Sequence, residues 1–238
     1  MSQALAVFSL FLLTLANCQV IRYESEVQTD TTADGPVSMV VDNLAEIAVN
    51  VSIDTTVQLE AKMNRTREDI AGNIEVLTAN ALAQLSDVIF ETNQVMVDNP
   101  DCNAAWNLEK LNENVTLQLV GCTGNLGSLL QNFRIEGQLA LAKVQEFVHQ
   151  IAQLPEKCQT AGISALNPLG SAGGSVCFIN GMAGINLGMA QSLHQASQLL
   201  VRTHRSSEEQ VELAEQCGAT VVQQIGDYLR EERDQCQQ

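Results

Sequence analysis

The chain has 238 residues, of which 28 are acidic and 12 are basic, and its formal net charge is −16. Nucleic-acid affinity depends largely on contacts between phosphates and Lys or Arg side chains. An acidic sequence without a basic cluster therefore excludes nucleic acid as an expected partner. The length is enough for one large domain or two small ones.

Residues 1–18 predict a secretory signal peptide. Residues 6–16 form an uncharged apolar run that has the length of a signal core and is too short to span a bilayer. The small residues Ala16 and Cys18 stand three and one positions before a cut that leaves Gln19 first. No basic flank follows to favour a membrane anchor. We therefore expect a secreted, extracellular protein with no membrane span after signal cleavage.

The cysteines and the Asn-X-Ser/Thr sequons fit the same secreted context. Six cysteines remain after the cut, and this even number predicts three disulfides in an oxidising compartment. Three sequons predict N-glycosylation. The predicted disulfide cysteines are Cys102, Cys122, Cys158, Cys177, Cys217 and Cys236, and the predicted glycosylation sites are Asn50, Asn64 and Asn114.

The chain that follows the signal divides by composition. Residues 19–36 are polar, lack apolar periodicity and predict a mobile N-terminal segment. Residues 37–238 predict a single helical domain, because no Pro/Gly/Ser-rich linker separates them into two. Within this domain we distinguish a cysteine-free helical arm, 37–98, from a disulfide-stapled part, 99–238.

Helical spacing of apolar residues dominates the first half of the chain. A capping box formed by Thr66 and Asp69 predicts the start of a second helix, and Pro100 ends it. The predicted stripe of the first helix comprises Val40, Leu44, Ile47, Val51 and Leu59, in a segment that also contains the apolar Val57. The predicted stripe of the second comprises Ile70, Ile74, Leu77, Ala81, Leu85, Val88, Thr92 and Val95.

The middle of the chain predicts two further helices and a loop. A shorter helix covers 103–120, with Trp106 near its start. A long apolar stripe over 126–154 predicts the third long helix, which Pro155 ends. The glycine-rich stretch 158–177 predicts a loop.

Helical spacing returns over 179–203, and a second capping box, Ser206 with Glu209, predicts the start of a last helix that runs towards Cys236. No segment alternates apolar and polar residues for long enough to predict a strand. The expected fold class is therefore all-α: an antiparallel bundle of long amphipathic helices stapled by disulfides. The heptad-like stripes also permit self-association through helices.

Helix lengths restrict the disulfide pairing. Cys102 and Cys122 bracket the predicted helix 103–120 and lie roughly 30 Å apart at about 1.5 Å per residue, whereas a disulfide needs Cα atoms within about 7 Å. The same reasoning separates Cys217 from Cys236. A loop over 158–177 can close on itself, which predicts a Cys158–Cys177 bond. The remaining bonds are Cys102–Cys236 with Cys122–Cys217 for antiparallel helices, which we favour, or Cys102–Cys217 with Cys122–Cys236 for parallel ones.

The sequence shows no catalytic, cofactor-binding or metal-binding constellation. His149, His194 and His204 belong to no H-E-x-x-H pair and lie in segments rich in Gln and Ser, so we interpret them as surface residues. The glycines of 121–127 follow no strand and predict a helix cap and turn. The cysteines lack the C-x-x-C spacing of zinc and redox sites. We expect no enzymatic activity, no cofactor and no metal.

Three glycines recur at helical spacing in the segment 179–203. Gly181, Gly184 and Gly188 lie three and four residues apart, which predicts a smooth strip on one side of a helix. Close helix–helix packing is the favoured interpretation, because glycine lets backbones approach. A ligand groove is the alternative.

The signal peptide, the helical stripes and the Cys-x3-Trp start at Cys102 and Trp106, followed by cysteines that end in a C-terminal helix, resemble the TsetseEP-domain family of small secreted insect proteins. The resemblance covers most of the region from Asn43 to Cys217 or beyond. The namesake proteins carry a Glu-Pro repeat tail that is absent here, so nothing that belongs to that tail is carried over. The resemblance implies an extracellular, non-enzymatic protein, often associated with gut tissue, and it supplies no catalytic residues.

We therefore expect a secreted, N-glycosylated, non-enzymatic helical interaction protein of the gut lumen or another extracellular fluid, with a role in defence as one expectation. Its partner would be an extracellular macromolecule or a microbial surface. The alternative is a carrier of a small apolar ligand within the bundle, suggested by the Met- and Gly-rich stretch 178–189.

Overall fold

The computed structural model describes residues 36–99, 101–102, 105–158 and 168–237. It contains four helices in this part of the chain and no strand. They are α1 (Pro36–Asp98), α2 (Leu108–Cys122), α3 (Gly124–Lys157) and α4 (Pro168–Cys236). The predicted all-α class is confirmed. The predicted signal peptide, 1–18, and the N-terminal segment up to residue 35 lie outside the described residues.

The two longest helices, α1 and α4, run parallel to each other, and residues that lie side by side in them keep a constant offset in sequence number. The Ser52 hydroxyl lies 3.6 Å from the Met189 Sδ, and the Thr92 hydroxyl donates to the Leu229 carbonyl at 3.3 Å. Both pairs are separated by 137 residues. The two helices therefore keep one register over some 40 residues, or about 60 Å at helical rise.

Helices α2 and α3 run antiparallel to both long helices. Phe147 of α3 lies beside Gly188 of α4, whereas Leu154, further along α3, lies beside Gly181, which comes earlier in α4. The predicted antiparallel bundle is confirmed. Within it α1 and α4 form a parallel pair, because the chain reverses direction after α1 and again after α3.

A single residue separates α2 from α3. The Thr123 N–H donates to the Leu119 carbonyl at 3.3 Å, which closes α2, and the Thr123 carbonyl accepts from the Gly127 N–H at 3.0 Å, which opens α3. The predicted turn over 121–127 is thus reduced to one residue. As a result, α2 and α3 together form the return arm of a three-helix bundle.

The buried positions repeat every 11 residues rather than every seven. An 11-residue repeat corresponds to 3.67 residues per turn, close to the 3.6 of the helix itself, so the helices need little supercoiling to keep one face inward. The repeat even continues across the break at Thr123. Its buried or half-buried members are Val41, Ser52, Met63, Ile74, Leu85 and Met96 in α1; Gly174, Ile185, Ala196, Ser207, Gly218 and Leu229 in α4; and Val115, Leu126, Gly137 and Val148 in the return arm.

The core consists of successive apolar clusters along the bundle. Ile70, Leu85, Leu126 and Leu229 are almost completely buried. Each such side chain stabilises the fold by about 1.5–3 kcal/mol relative to its exposure. Small and polar residues also reach the core: Ala196 and Thr92 have no exposed surface. The buried faces predicted for the second half of α1 and for α3 are confirmed.

The stripe predicted for the first half of α1 is correct at Leu59, which is buried, but wrong at three other positions. Leu44, Ile47 and Val51 are exposed by 51%, 60% and 51%. Ser52 and Thr56 are buried instead. The Thr56 hydroxyl donates to the Ser52 carbonyl at 2.8 Å, which satisfies it inside the bundle. This part of α1 is apolar over a wide arc, and the register with α4 decides which side is covered.

Both predicted capping boxes are wrong. Thr66 and Ser206 lie inside continuous helices, where a backbone N–H is already bonded to the carbonyl four residues earlier. The Thr66 hydroxyl donates backwards, to the Lys62 carbonyl at 3.1 Å. A capping motif acts only on free N–H groups, so these two sequence patterns do not mark the start of a helix here.

Three further boundaries differ from the prediction. The glycine-rich stretch expected as a loop is helical from Pro168 onward, while 159–167 lie outside the described residues. Helix α3 continues past Pro155 to Lys157. Helix α2 begins later than predicted, because the Asn107 side chain accepts from the Lys110 N–H at 2.9 Å and caps it there.

Candidate interaction surface

Three disulfides join the helices. They are Cys102–Cys236, Cys122–Cys217 and Cys158–Cys177, with Cα–Cα distances of 5.5, 5.5 and 5.7 Å. The predicted local bond is confirmed, and of the two alternatives for the other four cysteines the structure has the antiparallel one. Cys102–Cys236 thus fastens the segment between α1 and α2 to the end of α4, and Cys122–Cys217 fastens the end of α2 to α4. The third bond fastens the end of α3 to the start of α4.

We call α2, together with the last part of α1 and the last part of α4 that lie beside it, the disulfide end. Here the Trp106 indole N–H donates to the Asn93 side-chain oxygen at 3.1 Å, and Arg233 donates to Glu91 at 2.7 Å. The first contact joins α1 to the segment before α2, and the second joins α1 to α4. The same end has an open depression of about 340 Å³, lined by Glu91, Gln94, Val95, Asp98, Arg233 and Gln237.

This depression is a weak candidate for a binding site. Arg233 is its one cationic lining residue, and it is already paired with Glu91 and lies 3.5 Å from Asp234. The remaining lining is mostly polar and open to solvent. An anion would have to displace an existing ion pair to bind there.

The sequons lie within helices. Asn50 and Asn114 are exposed, while Asn64 is half-buried. The Asn114 side-chain oxygen accepts from Gln118 at 3.2 Å. All three sequons lie in α1 and α2, and α4 carries none.

The three histidines are exposed, as expected from the sequence. His204 lies 3.4 Å from Glu208, and the His194 ring lies 2.9 Å from the Gln198 amide. Among the described residues, no three His, Cys, Asp or Glu side chains are placed to hold a metal ion. Burial, and after it the nearby Glu232, raises the pKa of the Tyr228 phenol above its ordinary 10.0.

Two glycines of the predicted strip serve close packing. A Cβ at Gly181 would come within 2.6 Å of the Leu154 side chain, and one at Gly188 within 2.7 Å of the Phe147 ring. Gly184 faces open space. The favoured interpretation of the strip is therefore correct at two of its three positions, where α3 side chains fill the room that a groove would need.

The most unusual surface is one that the sequence analysis missed. No Asp, Glu, Lys or Arg lies between Lys157 and Arg202, although charged residues make up 17% of the chain. The first half of α4 therefore exposes an uncharged surface. Four large apolar side chains are exposed on it: Val176, Ile179, Leu187 and Val201 are 58%, 64%, 62% and 70% exposed. A count of charges along the chain would have found this segment.

Three of the exposed apolar residues of α1, Leu44, Ile47 and Val51, lie beside this surface. The constant offset of 137 residues places 44–51 of α1 level with 181–188 of α4. Ile47 and Glu91 are separated by four 11-residue repeats and therefore lie on the same side of α1. Glu91 accepts a hydrogen bond from Arg233 of α4, so this side of α1 faces α4. We call the exposed surface of α4 from Val176 to Val201, together with these α1 residues, the neutral face.

Comparisons with known proteins add no relative. No protein-family model, no curated protein and no solved structure matches the chain. The resemblance to the TsetseEP-domain family remains a prediction from the sequence. None of the helices in the described part of the chain is both long enough and apolar enough to cross a membrane.

Proposed function

We propose that this chain is a secreted, N-glycosylated, non-enzymatic protein that acts as a rigid rod and binds an extracellular macromolecule or a microbial surface. The observation that carries the proposal is the constant register of α1 and α4, in a bundle whose helices are joined by disulfides near both ends. Such a rod presents a long, fixed surface, which suits recognition of an extended partner.

Other features support an extracellular setting. Three disulfides are typical of oxidising compartments, and exposed Asn50 and Asn114 are accessible for a glycan. The resemblance to the TsetseEP-domain family agrees with this setting and adds the gut lumen, or another secreted fluid, as the place of action, with defence as a possible role.

The carrier alternative draws little support from the contacts. Met189 belongs to a buried cluster, and Met182 packs against a neighbouring one. Leu154 and Phe147 fill the space at two glycines of the same stretch. The soft side chains that suggested an adaptable pocket are thus used in packing between helices.

The experiment is a binding assay with the purified full chain from secreting eukaryotic cells. Chitin, mucin, peptidoglycan and lipopolysaccharide, each immobilised, are suitable first targets. We expect saturable binding to at least one of them, and its loss when the protein is reduced and alkylated, because the rod then lacks its covalent links. Reduced protein that binds equally well would point to a non-specific contact. Absence of binding to every target would remove the basis of the proposal.

A further inference from the structure

The outward side of α4 carries a second apolar stripe with the period of the core. Val176 and Leu187 are 11 residues apart, and so are Ile179 and Ala190, with Val201 a further 11 along. Between Ala190 and Val201 the same side carries the exposed, uncharged polar pair His194 and Gln198. The core stripe of the same helix lies on its other side. A stripe that keeps the period of a packed face can be followed by another straight helix along its whole length.

Small residues on this stripe allow a close approach. Ala183 and Ala190 lie between the larger side chains and are exposed, and a Cβ at Gly184 would meet nothing within 4 Å. A neighbouring helix could therefore place its own large side chains opposite the alanines. α4 carries no sequon, but the predicted glycosylation site Asn50 is beside Val51 on α1 and level with Leu187, so a glycan there would border the α1 part of the neutral face.

Charge argues for the identity of that neighbour. Two copies of a chain with net charge −16 repel each other. The repulsion is smallest where the surfaces that meet carry no charge, and the neutral face is such a surface. A cationic partner would instead be drawn to the acidic parts of the rod. The face is therefore suited to a second copy of the same chain.

The available area agrees with a reversible dimer. From Val176 to Val201 the stripe is about 38 Å long and about 10 Å wide, and the three α1 residues extend it over about 12 Å. This amounts to roughly 500 Å² per copy, or about 1,000 Å² in total, near the lower limit for a specific interface.

We propose that the neutral face is the contact through which two copies of this chain pair. The pairing is isologous, with the same α4 surface used by both copies. This pairing does not depend on the partner proposed above. Binding to that partner is measured on immobilised targets, whereas pairing is measured in solution, so the two proposals can fail separately.

The test is sedimentation equilibrium of the full chain over micromolar to near-millimolar concentrations, with a double variant, Ile179→Glu and Leu187→Glu. We expect the native chain to dimerise, and we expect the variant to raise the dimer dissociation constant at least about 100-fold, since four like charges then meet. Higher salt should tighten the native dimer by screening the net repulsion. The matched control is Leu117→Glu with Leu139→Glu, which are 65% and 66% exposed on the return arm, and it should leave the constant unchanged.

Three results would overturn the proposal. One is a native chain that stays monomeric at every concentration and salt. Another is a control variant that weakens the dimer as much as the Ile179/Leu187 variant. The third is a monomer that floats with phosphatidylcholine vesicles and loses this binding in the Ile179/Leu187 variant, because the neutral face would then bind lipid. Circular dichroism of each variant checks that the bundle is folded.

Discussion

The two ends of the bundle are held together in different ways. At the disulfide end, full-sized side chains such as Leu85, Leu119 and Leu229 fill the core, and two bonds join segments 134 and 95 residues apart. At the other end, glycines bring α4 against α3, and the one disulfide spans only 19 residues. The disulfide end is held by covalent bonds between segments that are distant in sequence, whereas the other end depends on close packing.

The surfaces of the two ends differ in the same way. The disulfide end carries ion pairs such as Arg233 with Glu91, while the neutral face has no charge on α4. Exposed apolar side chains occur at both ends, since Phe90, Val97 and Leu117 at the disulfide end are 62%, 66% and 65% exposed. The comparison teaches that the two ends differ in surface charge rather than in apolar surface, because the apolar side chains of the neutral face have no charged residue beside them on α4.

The largest difference should appear when disulfides are removed. Replacing Cys122 and Cys217 by Ala should lower the free energy of unfolding by about 4.7 kcal/mol, and replacing Cys158 and Cys177 by about 3.2 kcal/mol, because the unfolded chain regains more freedom when the longer loop opens. Equilibrium urea unfolding of each double variant measures both values. Equal losses would show that loop length does not set the difference between the ends.

Packing at the glycines should have an intermediate effect. Gly184→Ala should raise the free energy of unfolding by up to about 1 kcal/mol, since alanine favours the helix and its Cβ meets open space. The free energies of unfolding of Gly181→Ala and Gly188→Ala should be lower than that of Gly184→Ala by about 1–3 kcal/mol, because Leu154 or Phe147 must move. Thermal or urea unfolding of the three single variants provides the matched set. If all three gain stability alike, close approach does not hold this end together.

Ion pairs should show the smallest difference. Glu91→Gln should cost at most about 1 kcal/mol, and Glu136→Gln, which faces the more exposed Arg202, no more than about 0.5 kcal/mol. Each change also removes one negative charge from an acidic chain, which offsets part of the loss. Urea unfolding at low and high salt separates the two contributions. A larger loss for Glu136→Gln would contradict the view that charge matters more at the disulfide end.

The sequence was sufficient for features that depend on distance along a helix. The fold class followed from the helical spacing of apolar residues. Helix length excluded the Cys102–Cys122 and Cys217–Cys236 bonds, since a helix is a rod whose ends cannot meet. These conclusions need only the geometry of a single helix, whereas the choice between the two remaining sets of bonds needed the direction of the neighbouring helix.

Features that depend on the neighbouring helix could not be predicted in the same way. Leu44, Ile47 and Val51 form a stripe as regular as the buried one, and only the register with α4 leaves them outside. Thr66 and Ser206 match capping motifs, but the chain continues as a helix through both. The neutral face was visible in the sequence as a gap between Lys157 and Arg202, yet its position beside α1 required the structure.

The 11-residue repeat restricts how this molecule can change in length. Loss of one residue from α1 would turn every later side chain by about 100°, whereas loss of 11 residues, three turns, turns them by only about 20°. Because all three arms run level with one another, the same block must leave or enter each of them to keep the cysteines opposite their partners. Related chains should therefore differ by three blocks together, about 33 residues, and each such step should shorten or lengthen the rod by about 16 Å.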